Sequence, residues 1–225
     1  NLTMPNKNKI VELLDELSPE AQLIGAVNTV LNDNGKLIGY NTDGYGFMQS
    51  VRDAGHDITG KNITVMGVGG ASMAICAQSA LDGAASVHIF ARRTSRYWNR
   101  TQKFAENLSA KTGCQVCLFD NDDHTALRDS IAQSYLLITA TSVGMVPDID
   151  DTIIKDTSLF HPELVVADVV YEPQETRLLR EAKAAGCQTF NGMYMLLHQG
   201  AKAFQIWTGQ EMPVSVIKEK YFSVK

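Results

Sequence analysis

Long hydrophobic runs are missing from this chain. No stretch approaches the roughly 18 uninterrupted apolar residues that a membrane helix needs, so no transmembrane span is expected. There is no basic excess either. Twenty Lys and Arg stand against 25 Asp and Glu, a net charge of −5, which is the wrong sign for neutralising nucleic-acid phosphates. Cysteine is sparse, with four residues at 76, 114, 117 and 187. Cys114 and Cys117 form a C-x-x-C, but no second ligand pair follows at the spacing of a structural zinc site. The segment Cys114–Phe119 reads as a strand, which sends those two thiols to opposite faces. Buried, reduced thiols in a cytoplasmic protein are expected, with no metal site. His56, His88, His124 and His161 have no companions that point to a metal, and no internal repeat or low-complexity tract stands out.

What is present suits a globular protein. The chain has 225 residues, 44% hydrophobic and 20% charged, enough to bury a substantial core. Strand and helix patterns alternate between residues 61 and 190. Strands are expected at Asn62–Gly67, Ser86–Ala91, Cys114–Phe119, Tyr135–Ala140, Leu164–Val170 and Thr189–Phe190. Helices are expected at Ala71–Leu81, Ser95–Lys111, Asp123–Ile131 (capped by Asp122 or Asp123) and Glu175–Ala185, the last stopped by Gly186. The continuous apolar run at Tyr135 suits a sheet covered on both faces, and the alternation predicts a parallel, doubly wound α/β sheet.

The flanking segments read differently. A helix at Lys9–Leu17, a hairpin of Ala26–Leu31 and Lys36–Tyr40 turned at Asp33-Asn34-Gly35, and a helix at Tyr45–Ala54 are expected. Another helix at Tyr194–Trp207 packs back on this part. The expectation is therefore a Rossmann domain at 56–190 and a smaller, discontinuous α/β substrate domain at 1–55 and 191–225. The chain opens on Asn1 in mid-pattern, which points to an N-terminal piece of that smaller domain lying outside this sequence and leaves a targeting peptide open.

Gly67-Val-Gly-Gly-Ala-Ser follows a strand and opens a helix. Gly67 permits a tight turn, Gly69 and Gly70 let the backbone approach a pyrophosphate, and the helix start near Ala71 offers unpaired N–H groups. Ser72 stands where the common pattern has a third glycine. After the second strand, where an NAD site carries a carboxylate, come Arg92, Arg93 and Thr94. Two guanidinium groups and a hydroxyl suit a 2′-phosphate, so the expected cofactor is NADP, the bland alternative being a solvated basic loop.

Six segments, the glycine turn among them, share a wider pattern. Asn1-Leu-Thr-Met-Pro-Asn-Lys7, Ile24-Gly-Ala-Val-Asn28-Thr29, Gly39-Tyr-Asn41-Thr42-Asp43-Gly44, Gly67–Ala71, Tyr171-Glu-Pro173 and the run from Gly192 through Met195-Leu196 to Gln199 occur in this order. Each resembles a motif of the shikimate dehydrogenase family, and together they cover nearly the whole chain. The resemblance implies NADP-linked oxidation of the C3 hydroxyl of shikimate to 3-dehydroshikimate, a step in aromatic amino-acid biosynthesis. It implies Lys7 and Asp43 as the catalytic pair, and Thr3, Asn28, Tyr171 and Gln199 as substrate contacts. Val169 and Gly192 would lie at the nicotinamide end of the cofactor.

The residue types fit that chemistry independently. Oxidising an alcohol removes a proton from oxygen as hydride leaves carbon, so an acid/base group must face the hydroxyl. A lysine beside a carboxylate is a poor base unless desolvation wins. Lys7 is therefore expected to stabilise the developing alkoxide and to relay the proton with Asp43. Read alone, Lys7 is a solvated charge, Asp43 a turn or helix cap, Asn41 and Thr42 turn-shaping residues, Tyr171 a rim aromatic and His198 a structural residue. The family's N-terminal serine pair is not in these residues, while the run from Met195 to Gly209 resembles the quinate/shikimate branch, some of which uses NAD. Thr94 replaces the aspartate of that NAD-preferring pattern, so quinate as substrate and NAD as cofactor stay open. A ligand sensor without turnover is a further alternative, opposed by the presence of both Lys7 and Asp43. The substrate is a small molecule, and assembly, a homodimer included, is not readable from the sequence.

Overall fold

The computed structural model describes residues 1–3 and 5–222 and divides into two compact units, Asn1–His56 with Met193–Lys225, and Asp57–Gly192. Met4 of the first motif lies outside the described residues.

The first unit begins with a 3₁₀ turn at Lys9–Leu13, followed by β1 (Glu16–Leu17), α1 (Pro19–Ile24), β2 (Thr29–Asp33), β3 (Lys36–Tyr40) and α2 (Asp43–Asp53). The single helix expected over Lys9–Leu17 does not form. Leu14 is extended (φ −103°, ψ 143°), and Asp15 is tied to Leu37 twice, its N–H donating to the carbonyl (3.0 Å) and its Oδ2 accepting from the amide (2.7 Å). Glu16 and Leu17 then pair parallel to Ile38 and Gly39. Helix resumes only at α1, where the Ser18 hydroxyl caps the Ala21 N–H and Pro19 occupies the first turn, its ring excluding helical geometry from Ser18. Strands β2 and β3 form the expected antiparallel hairpin, with Asn34 (φ 52°) and Gly35 (φ 99°) in its turn. Helix α2 buries Phe47, Met48 and Val51 completely, each contributing roughly 1.5–3 kcal/mol.

The second unit is the repeating one. It runs β4 (Asn62–Met66), α3 (Gly70–Leu81), β5 (Ser86–Ala91), α4 (Trp98–Thr112), β6 (Gln115–Asp120), α5 (His124–Gln133), β7 (Leu136–Thr139), β8 (Val165–Asp168), α6 (Arg177–Ala184) and β9 (Gln188–Phe190). The strands make one parallel sheet in the order β6-β5-β4-β7-β8-β9. Strands β7 and β8 are buried along their whole length, as a sheet covered on both faces requires. Met66, Phe90, Leu137 and Val166 from the strands pack with Ile131 of α5 and Leu178, Leu179 and Ala182 of α6. Of the two capping candidates for α5, Asp123 is the cap, its Oδ1 accepting from the Ala126 N–H. The strand order reverses between β4 and β7, and ligands of doubly wound sheets sit beyond the carboxyl ends of the strands at such a point.

The chain then returns to the first unit with α7 (Met193–Thr208), which packs along α2, and ends in a short helix at Val214–Ile217 and a π-helical turn at Lys218–Phe222. All four cysteines are free. Burial pushes the Cys76 thiol up to about 12 and that of Cys114 up to about 11, so neither is a reactive thiolate at neutral pH. No helix among the described residues is long and apolar enough to cross a membrane.

Candidate active site

The first unit gathers three of the sequence-predicted residues, Lys7, Asp43 and Gln199, around a fourth, Asn28. Its position is fixed by the main chain, its N–H donating to Tyr40 O (3.0 Å) and its carbonyl accepting from Leu2 N (2.7 Å). The side chain is 2% exposed. Its Oδ1 accepts from the Thr42 N–H (3.0 Å) and the Thr29 hydroxyl (2.9 Å). Its Nδ2 lies 2.9 Å from Asp43 Oδ1, 3.0 Å from Thr42 Oγ1 and 3.4 Å from Gln199 Oε1. An amide has two N–H groups, so these three acceptors share them and the long contact to Gln199 is the weakest.

Asp43 is the first residue of α2, and its backbone N–H is held by Asn41 Oδ1 (3.1 Å). With Oδ1 fixed by Asn28, its Oδ2 accepts from Lys7 Nζ at 2.5 Å. The Lys7 side chain is 19% accessible and that of Asp43 9%, so the pair is shielded but not sealed from solvent. Lys7 is kept in place by its own carbonyl, which accepts from Val27 N (2.8 Å). The sequence read Asn41 and Thr42 as shaping a turn. They do, and by bonding Asp43 and Asn28 they also aim the carboxylate. Thr3 is not drawn into this cluster: it is exposed, and its carbonyl accepts from Asn6 N. His198, buried at 5%, bonds Asp53 Oδ2 through Nε2 (2.9 Å). Burial lowers its pKa and Asp53 works against that shift, consistent with a structural residue.

In the second unit the glycine turn closes on itself. Gly67 (φ 112°) donates its N–H to Phe90 O, and a Cβ there would stand 2.7 Å from Ala140 O, so glycine is required by the protein. Ser72, the departure from the common pattern, is buried and donates its hydroxyl to Gly67 O at 2.5 Å, bracing the turn by a side-chain bond. At Gly69 and Gly70 a Cβ would meet no protein atom within 4 Å. Packing gives no reason for glycine at these two positions, whereas close approach of a phosphate group does. These residues and Ala71, at the start of α3, fit a dinucleotide pyrophosphate.

Helix α4 starts at Trp98 rather than Ser95, because residues 92–97 form two successive turns: Arg92 O accepts from Ser95 N, and Ser95 O from Trp98 N. Arg92, Arg93 and Thr94 are thereby presented to solvent at the end of β5. The Arg93 guanidinium lies 4.6 Å from the Trp98 ring centroid, which orients it without neutralising it. Beyond β8, the Val169 N–H donates to Thr139 O, Gly192 N donates to Val170 O, and Tyr171 is 44% exposed.

Sequence reasoning missed Asp168, which holds this last loop. It is 2% exposed and accepts from the Val170 N–H (3.1 Å) and the Thr176 hydroxyl (2.8 Å). Burial raises its pKa, with those bonds opposing. A carboxyl raised in the folded state contributes stability that is full below its unfolded pKa and lost as pH rises through the folded one. Asp168→Asn keeps an acceptor for Val170 without the charge. We expect its melting temperature to gain on wild type as pH rises from 4 to 8. A constant difference across that range would contradict the assignment.

A parallel, doubly wound sheet with a glycine turn at its switch point, joined in sequence to a unit carrying a shielded Lys–Asp pair, defines a Rossmann-type dehydrogenase. Residues 1–30 match the shikimate dehydrogenase substrate binding domain, and residues 192–220 match the shikimate 5'-dehydrogenase C-terminal domain. The NADP(+)-dependent shikimate dehydrogenase of Listeria innocua is 52% identical over 222 residues, covering 99% of this chain and 76% of that protein. The quinate/shikimate dehydrogenase of Escherichia coli is 42% identical, over 97% of this chain and 75% of that one. The crystal structure of shikimate 5-dehydrogenase from Listeria monocytogenes, in complex with shikimate and NAD, superposes with a TM-score of 0.94 at 51% identity, covering 97% of this chain and 75% of that one. The chain belongs to the shikimate dehydrogenase family.

Proposed function

We propose that this protein interconverts shikimate and 3-dehydroshikimate with NADP, that Lys7 and Asp43 are its catalytic residues, and that the unit of residues 57–192 binds the cofactor. The observation that carries the reading is the Lys7–Asp43 pair at 2.5 Å, with the second carboxylate oxygen fixed by Asn28. When bound, NADP⁺ supplies the acceptor for the hydride that leaves C3. Lys7 stabilises the negative charge that grows on the C3 oxygen, and Asp43 shares the proton that this oxygen gives up. Because both Asp43 oxygens are held, the pair needs little reorganisation when charge develops. Gln199, and Asn28 through the amide hydrogen that it shares with Gln199, are the groups turned to ring hydroxyls, with Thr3 and Tyr171 as further substrate contacts.

Gly67, Gly69, Gly70 and Ala71 would hold the pyrophosphate, with Val169 and Gly192 at the nicotinamide end. Arg92, Arg93 and Thr94 would hold the 2′-phosphate. Removing both guanidinium groups (Arg92→Ala with Arg93→Ala) should raise KM for NADP⁺ by roughly 10–100-fold, the worth of one or two charge-assisted bonds. KM for NAD⁺ should change little. Equal changes for the two cofactors would assign the arginines to general electrostatics.

The deciding experiment is the initial rate on shikimate or quinate with each cofactor. Turnover of shikimate with NADP⁺ supports the reading, and better turnover of quinate places the enzyme in the quinate/shikimate branch. Turnover of neither removes the reading.

A further inference from the structure

Helix α2 carries Asp43 and helix α7 carries Gln199, so the separation of these two helices sets the distance between the catalytic carboxylate and the distal polar group of the same cluster. At one point the two helices approach closely enough to leave no room for a side chain. A Cβ built on Gly46 would stand 2.7 Å from both Gln199 N and Met195 O, and 2.8 Å from Gln199 Cβ. Two of these three atoms belong to the α7 backbone, so no rotamer change relieves the contact, and an alanine at 46 forces the helices apart. Gly46 lies within helical geometry and needs no unusual backbone angle. Its missing side chain, rather than its flexibility, is what the structure uses.

Two features make the approach consequential. Gln199 Oε1 already stands at 3.4 Å from Asn28 Nδ2, the outer limit of a hydrogen bond, while Asn28 holds Asp43 at 2.9 Å. A retreat of α7 by even half an ångström therefore removes Gln199 from the cluster and leaves Lys7, Asp43 and Asn28 in place. At the other end of α2, Asp53 bonds His198, the residue next to Gln199, at 2.9 Å. The same two helices are thus notched at Gly46 and tied at Asp53.

Resting on the substrate half of the function proposed above, we infer that Gly46 is a positioning residue: its lack of a side chain seats Gln199 against Asn28 and so sets the grip on the substrate's ring hydroxyls, while the Asp53–His198 bond keeps α7 from sliding out of that seat. The inference concerns substrate binding, not the chemical step. Gly46 does not touch the reacting atoms, and the bonds that hold Lys7 and Asp43 run to each other, to Asn28 and to Asn41 rather than to Gly46.

A double-mutant cycle separates positioning from general packing. Gly46→Ala is expected to raise KM for shikimate about tenfold, with kcat within about threefold and KM for NADP⁺ unchanged. In a Gln199→Ala background the same substitution should add no more than about twofold, because the group it displaces is already gone. Gly200→Ala is the control. It adds the same methyl group one position beyond Gln199, where a Cβ meets nothing within 4 Å, and should leave KM and kcat unchanged. Should Gly46→Ala fail to fold, His198→Ala takes its place in the cycle, with a raised shikimate KM that also vanishes in the Gln199→Ala background. Full additivity in either cycle, or a folded Gly46→Ala with unchanged shikimate KM, overturns the inference while wild-type turnover leaves the function standing. A wild-type protein that turns over neither shikimate nor quinate removes both.

Discussion

Lys7→Ala should lower kcat for shikimate oxidation by roughly 10²–10⁴-fold, the usual worth of a positioned acid/base or charge-stabilising group, with KM altered no more than a few-fold. The asymmetry follows from geometry. Lys7 Nζ is engaged by Asp43 in the resting protein, and its side chain is only 19% accessible, so a neutral hydroxyl gains little from it on binding. In the proposed mechanism the alkoxide that forms as hydride leaves gains a great deal, because the charge appears beside a preorganised cation. The substitution also strips a mostly buried carboxylate of its cation. Breaking a fully buried pair costs about 3–5 kcal/mol, and the remaining accessibility together with the Asn28 bond places this one lower. A thermal melt beside the kinetics separates the two effects: a modest loss of stability with a collapse of kcat is expected. A severalfold rise in KM with kcat intact would mean that Lys7 only binds. Asp43→Asn completes the comparison. It removes the proposed proton acceptor while preserving shape, so it should also depress kcat, and more steeply than it alters KM.

Lys7 and Asp43 were singled out only through the family motifs that carry them, since each read alone is a solvated charge or a cap, whereas most strands of the second unit were legible directly. β7 and β8 are buried on both faces, and a continuous apolar run says so without knowledge of the neighbours. Where the reading failed, the cause lay at a distance in one case and in local turn chemistry in another. Residues 14–17 have a helical pattern, but Asp15, Glu16 and Leu17 find partners in Leu37, Ile38 and Gly39, and tertiary pairing overrode local propensity. The late start of α4 came from local turn chemistry, Ser95 serving twice in the turns that precede Trp98. Ser72 looked like a defect in the glycine pattern until its hydroxyl was seen to donate to Gly67 O. Gly46, Asp53 and Asp168 carried no signal at all. Their roles depend on Met195 and Gln199, on His198, and on Thr176, and no spacing rule connects those positions.

Gly192→Ala should be the most disruptive single methyl group in the second unit. A Cβ at this position would stand 2.0 Å from Val169 O and 2.6 Å from Val169 C, far inside contact distance, and both are backbone atoms. The strands that lead there cannot separate freely. β8 and β9 are in register up to Ala167 and Phe190, and Gly192 N still donates to Val170 O beyond them. Relief therefore requires the loop after β8 to shift by more than an ångström, against the bonds that Asp168 makes to Val170 and Thr176. Overpacking against backbone at this level costs about 3 kcal/mol or more, which for a chain of this size lowers Tm by roughly 6–12 °C. If Val169 and Gly192 face the nicotinamide, as proposed, the same shift should raise KM for NADP⁺ by about tenfold or more in whatever fraction remains folded. Measuring NADP⁺ binding well below the melting transition separates the two consequences. Weakened binding together with the lowered Tm ties the close approach to the cofactor. A lowered Tm with unchanged binding would confine Gly192 to packing and move the nicotinamide end of the site away from the β8 loop.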